Sequence, residues 1–151
     1  VGYDTKELRG FLEAFVLKST VRAVLFGVGN LGQAILKYPG FQTEKIKIVA
    51  AFDKDSRKVG KKINGVAIYA MKDVSRVIHR SRAQIAIIAT PSEASQEIAG
   101  IITKSGLKGI INFAPSSLVV PKGVSVRNID LSIEFLSLFY DIHSSRKRRK
   151  S

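Results

Sequence analysis

The sequence predicts a doubly wound α/β fold on one mostly parallel sheet, and three observations carry that reading. Short, β-rich apolar runs recur at Val21–Phe26, at Ile46–Phe52 and at residues 84–89, the composition of strands buried on both faces. Helical periodicity fills the gaps between them. A turn holding three glycines joins the first run to the first helix of the core.

In chain order, Leu8, Phe11, Leu12, Phe15 and Val16 form one stripe after Asp4, with Glu7 placed as in a capping box, so residues 1–18 read as a packed connecting helix. Residues 19–130 read as the α/β domain. Its first strand is VRAVLF, and Leu31, Ala34, Ile35 and Tyr38 then recur at helical spacing. The strand IKIVAAF follows, and later a surface helix ending near His79. After the strand at 84–89, Thr90-Pro91-Ser92-Glu93 has the pattern of a capping box with proline at the first helical position. Ala94, Ile98, Ile101 and Ile102 supply that helix's stripe, and Gly106 is placed to close it. Residues 109–113 and 124–128 read as two further strands. The last helix, 131–143, has eight apolar residues among the twelve from 131 to 142, spread around more than one face. Burial against another subunit would cover it, and a place in the chain's own core is the alternative.

Length and charge bound the function. A chain of 151 residues suits one domain with a single core. No stretch approaches the roughly 18 apolar residues of a membrane span, and no secretory leader pattern opens the chain. Cysteine is absent, which excludes disulfides and thiolate chemistry and points to a reducing compartment, the cytoplasm. The chain starts at Val1 and its only methionine is Met71, so a fragment or processed form is expected, with a portion missing upstream. The net charge of +13 suggests anionic partners. Five of those positive charges sit in SSRKRRKS at 144–151, which is expected to be a disordered basic tail, either solubilising or contacting phosphates.

The glycine turn carries the chemistry. Gly27-Val28-Gly29-Asn30-Leu31-Gly32 matches G-x-G-x-x-G between a predicted strand and a predicted helix. The first glycine permits the tight turn, the second lets a pyrophosphate approach the backbone, and the third lets helix pack on strand. The helix N-terminus then offers N–H groups to phosphate. Asp53 closes the next strand, 21 residues past Gly32, where an acid accepts hydrogen bonds from the adenosine ribose. It favours NAD(H) over NADP(H), although Lys54 and Arg57 stand nearby. His79 and His143 are the only histidines, neither is placed for catalysis, and no nucleophile triad or metal cluster appears. A dinucleotide site without chemistry points to a sensor rather than an enzyme.

An ordered series of motifs adds a resemblance. GVGNLGQAIL with Tyr38 and Phe41 after it, AAFDKD at 50–55, KVG at 58–60, ATPSEASQ at 89–96, GLKGIINFAP at 106–115, VP at 120–121 and NIDLSIEFLSL at 128–138 together resemble the Rex family of bacterial redox-sensing transcriptional repressors. VGY at 1–3 resembles the junction after that family's N-terminal winged-helix DNA-binding domain, which is absent from this chain. The resemblance implies a Rossmann domain that binds NADH or NAD+, a homodimer with the C-terminal helix exchanged between subunits, and release of operator DNA when NADH rises. Carried over by position, residues 27–32 would face the pyrophosphate and Asp53, with Lys54 beside it, the adenosine ribose. Thr90 and Pro91 would lie along the nicotinamide side, and Tyr38, Phe113 and an exchanged Asp130 near the nicotinamide end. A small NAD-dependent dehydrogenase fragment and the CoA-binding domain of an acyl-CoA ligase are the alternatives. The basic tail matches nothing in the family pattern.

Overall fold

The structure is a computed structural model, and it describes residues 5–150, excepting the side chains of 14–18 and 145–150. A helix, α1 (Thr5–Lys18), precedes a seven-stranded sheet. The strands are β1 (Val21–Phe26), β2 (Ile46–Phe52), β3 (Lys62–Ile63), β4 (Val66–Tyr69), β5 (Ile85–Ile88), β6 (Gly109–Asn112) and β7 (Ser125–Asn128). The other helices are α2 (Asn30–Lys37), α3 (Val74–Ser81), α4 (Ser92–Lys104) and α5 (Leu131–Lys150). The spatial order is β3-β4-β2-β1-β5-β6-β7, parallel throughout except where β3 meets β4. Chain order and spatial order part company between β1 and β5, the switch point at which such sheets open a crevice beyond their carboxyl ends.

Side chains of successive strand residues feed two cores, as the period of two requires. Val24, Phe26, Ala50, Phe52, Ala86 and Ile88 pack with α3 and α4, whereas Ala23, Leu25, Ala51 and Ile87 pack with α2. Phe26 and Phe52 stack at 4.9 Å across the β1–β2 pair. These fully buried residues come from the apolar runs of the sequence, and both long strands have the predicted bounds.

Five expectations need correction. The β3–β4 hairpin was not foreseen, although Asn64-Gly65, both at positive φ, is the dipeptide that closes tight hairpins. The buried face of α2 is Gly32, Ile35 and Leu36, while Leu31, Ala34 and Tyr38 of the expected stripe are exposed, because α2 presses its Gly32 side onto the β1 turn. Helix α4 starts at Ser92, with Pro91 as its cap and no side-chain cap bond, so Thr90 is not the capping residue. Gly106, at φ 90, does close that helix. The connecting helix α1 exists, but Leu8, Phe11 and Leu12 are exposed rather than packed, and the proposed cap at Asp4 lies outside the described residues. Finally, α5 runs on to Lys150, so the backbone of the basic run expected to be disordered is helical through that residue. Lysine and arginine are good helix formers, and cations suit a helix's carboxyl end.

Candidate functional site

A cavity of about 460 Å³ opens at the carboxyl ends of β1, β2 and β5. Gly27, Val28 and Gly29 form one wall, and Phe52, Asp53, Lys54, Asp55 and Lys58 form the second. Ala89, Thr90 and Pro91 from the end of β5 lead to a third wall of Ala94, Glu97, Ile98 and Ile101 on α4, facing Met71.

Each glycine of the turn has a different local reason. Gly27 has φ 98, and a Cβ there would stand 2.7 Å from the Ala89 carbonyl oxygen. A Cβ on Gly32 would run into the Gly27 carbonyl, so only glycine lets α2 start this close to β1. Gly29 caps α2, and a Cβ there would meet nothing within 4 Å. That open ground lies at the helix N-terminus, where a phosphate group could come against backbone N–H groups.

Asp53 is tied to this turn. Its Oδ2 accepts from the Val28 N–H at 2.8 Å and its Oδ1 from the Asp55 N–H at 2.8 Å. Lys58 donates from Nζ to the Val28 carbonyl at 2.9 Å and lies 4.0 Å from Asp53 Oδ2. An ionised carboxylate has about four acceptor sites, so each Asp53 oxygen keeps one for a ligand hydroxyl. Arg57 forks onto Asp55 through Nε and Nη2, both at 3.1 Å. The Arg57 hydrogen bonds hold the Asp55 carboxyl at about 2, below the ordinary aspartate value. Of the two cations that blurred the cofactor preference in the sequence, Arg57 is therefore engaged by Asp55, while Lys54 lines the cavity.

Thr90 Oγ1 is the one buried side-chain oxygen or nitrogen without a hydrogen-bond partner among the described residues. Its residue lines the cavity. An orphaned buried hydroxyl costs about 1–3 kcal/mol unless something satisfies it, and a polar ligand against which the Thr90 side chain turned its hydroxyl would do so.

Of the residues expected from sequence, the cavity brings together Gly27, Val28, Gly29, Asp53, Lys54, Thr90 and Pro91. Asn30 and Leu31 are exposed on the first turn of α2, and neither they nor Gly32 line it. Tyr38 stands at the other end of α2, 56% exposed, in an edge-to-face pair with Phe41. Phe113 follows β6 and packs against the α2-side core. Asp130 caps α5, accepting from the Ser132 and Ile133 N–H groups, and borders a separate cavity of about 420 Å³ with Ser116, Asn128 and Glu134. Within this chain, then, Tyr38, Phe113 and Asp130 do not join the cleft. Lys58, Met71, Glu97, Ile98 and Ile101 were missed. The KVG run at 58–60 entered only through the family resemblance, and nothing local in the sequence says that α4 lines the same cavity as the end of β2.

Residues 18–116 match the family described as CoA binding domain. The redox-sensing transcriptional repressor Rex of Desulforamulus reducens is 39% identical over 148 residues, 97% of this chain and 70% of that protein. The chain belongs to the Rex family. A crystal structure of RSP, a Rex-family repressor, in complex with β-NADH superposes with a TM-score of 0.84 at 31% identity, covering 99% of this chain and 73% of that one. RSP in complex with β-NAD+ and operator DNA gives 0.81 at the same identity, covering 99% and 69%. Rex relatives are named as repressors, not enzymes. The resemblance in the motifs and the Rossmann-type sheet are thus both borne out, and no described helix is long and apolar enough to cross a membrane.

Proposed function

We propose that this chain is the NAD(H)-binding sensor region of a cytoplasmic redox-sensing repressor, which releases operator DNA when NADH is bound. The observation that carries the reading is a cleft that joins a glycine turn with room at Gly29, a carboxylate with spare acceptor sites and Thr90, whose buried hydroxyl has no partner among the described residues. The turn would receive the pyrophosphate, Asp53 the adenosine ribose with Lys54 beside it, and Thr90 and Pro91 the nicotinamide half. An acid at the ribose hydroxyls repels a phosphorylated ribose, which disfavours NADP(H) at the 2′ position and coenzyme A at the 3′ position.

The repressor acts as a homodimer through α5. Supporting this, Phe135, Leu136, Leu138, Phe139 and Tyr140 are each 59% exposed or more, a continuous apolar surface of the kind that marks interfaces. The sheet also offers a seat: on the α2 side, Ile85, Ile111 and Phe113 near β5 and β6 are only half-buried. In such a dimer Tyr38, Phe113 and an exchanged Asp130 would complete the nicotinamide end across the subunits. Operator contacts belong to a winged-helix domain outside this chain.

Calorimetric titration with NADH, NAD+, NADPH and coenzyme A, with molecular mass measured alongside, tests the reading. Oxidised nicotinamide carries a charge that an apolar pocket leaves poorly hydrated, so NADH should bind more tightly than NAD+, by up to about 10³-fold or roughly 4 kcal/mol. Preferred binding of coenzyme A would return the chain to the ligase-type alternative. Equal affinity for the two NAD forms would leave no basis for redox sensing here.

A further inference from the structure

The two ends of the sheet differ in charge. At the carboxyl end, Asp53, Asp55 and Asp73 each face a cation, in three of the four ion pairs among the described residues. The amino end has no such balance. Lys45 precedes β2, Arg22 lies in β1, Arg82 precedes β5, Lys104 and Lys108 flank the turn into β6, and Lys122 sits in the turn into β7. Hydrogen bonds fix these segments side by side: Val21 N–H to the Lys45 carbonyl at 2.7 Å, Gln84 N–H to the Arg22 carbonyl at 2.8 Å, and Ser125 N–H to the Lys108 carbonyl at 2.8 Å. No ion pair involves any of the six among the described residues, and all but Arg22 are exposed. Glu44 is the one acid in the segments leading into these strands.

Helix dipoles do not account for this row. Lys104 in the last turn of α4 and Arg82 at the C-cap of α3 each offset a helix's carboxyl end, but Lys45, Lys108 and Lys122 lead into strands, which have little net dipole. Five neighbouring strands at about 4.8 Å spacing make the row roughly 19 Å long, which matches about five or six base-pair steps along duplex DNA.

We propose that the amino-terminal edge of the sheet is a second, sequence-independent contact surface for the phosphate backbone of duplex DNA, on the side of the domain away from the cofactor cleft. It takes from the repressor reading only the choice of polyanion, and it needs no cofactor. Neutralising about five phosphates gives log affinity a slope of about −4.5 against log salt, so affinity should fall about 500-fold between 50 and 200 mM salt.

The test uses the whole chain and a random-sequence duplex of 20 base pairs, titrated by fluorescence anisotropy at several salt concentrations. One variant carries Arg82→Gln, Lys104→Gln, Lys108→Gln and Lys122→Gln. A second has Arg146, Lys147, Arg148, Arg149 and Lys150 changed to Gln, which separates the edge from the basic run. The edge variant should flatten the salt slope by three to four units while NADH titrates as in the parent, which also shows that the variant is folded. Four outcomes overturn the proposal: no duplex binding by the parent, an unchanged slope in the edge variant, loss of the slope in the tail variant alone, or an edge variant that loses binding to phosphatidylserine vesicles but not to DNA. Failure of the cofactor reading would appear separately, as absent NADH binding in the parent.

Discussion

The sheet and the last helix are equally apolar over their central residues but opposite in exposure. Phe26 and Phe52 on β1 and β2 are 0% exposed, whereas Phe135 on α5 is 77% exposed. Both patterns arise from the same burial rule, about 25 cal/mol per Å² of apolar surface removed from water. The difference lies in who supplies the cover. Strands of a doubly wound sheet are covered by the helices that connect them, so the chain that writes the strand also writes its cover. Among the described residues no element lies over α5, so its apolar residues stay exposed.

The largest expected effect tests that contrast directly. If the proposed dimer through α5 is right, deleting everything after Asp130 should give monomers or aggregates rather than soluble dimers by sedimentation velocity, because the surface that α5 would cover is left exposed. A well-behaved dimer after that truncation would remove α5 from the interface. Next, Phe52→Ala should cost about 3–5 kcal/mol in urea unfolding, the range for an aromatic truncated in a packed core. Phe135→Ala should change stability by no more than about 0.5 kcal/mol at protein concentrations where the chain is monomeric, and should weaken dimerisation instead.

Smaller effects sharpen the cleft. Asp53→Ala should weaken NADH binding by about 1–3 kcal/mol in calorimetry, the scale for hydrogen bonds to a charged group. An unchanged affinity would take Asp53 out of the site. Thr90→Val should weaken NADH by about 1 kcal/mol while leaving the unliganded chain as stable or slightly more so, since it removes an orphaned hydroxyl. The smallest effect concerns pH. Asp55 is held at about 2 in the fold by Arg57. A carboxylate depressed on folding stabilises above its unfolded value and loses that contribution as pH falls through the folded one. Asp55→Asn should therefore lie slightly below the parent in urea midpoint at pH 7 and converge with it near pH 2.

What was legible in the sequence follows the same division. The bounds of β1 and β2 were readable because a buried parallel strand is apolar at nearly every position and ends where the run ends. Gly27 and Asp53 were readable because a turn and a strand end have fixed spacing. Strand β3 has two residues, too few for any alternation to register, and the Asn64-Gly65 turn was its only signal. The cap of α4 was misjudged because Thr90-Pro91-Ser92-Glu93 offers two neighbouring starting points: the chain uses Pro91 and leaves the buried Thr90 hydroxyl without a partner among the described residues. The apolar stripe of α1 was read as packed, yet Leu8, Phe11 and Leu12 are exposed: periodicity marks a face without saying what covers it. Lys58 and the α4 wall of the cavity depend on contacts between distant segments, which no local pattern encodes.

The short hairpin at the end of the sheet has a consequence for how copies of this chain meet in solution. Strand β3 offers only Lys62 and Ile63 beyond β4, with Lys61 just before them, and its direction opposes the rest of the sheet. At the opposite border, β7 is four residues long, with Arg127 exposed on it. Unpaired strand borders invite chains to add to one another without limit, and brevity and positive charge are the devices that discourage it. With both borders blunted, open-ended stacking of sheets is discouraged, which is what the proposed closed dimer through α5 requires.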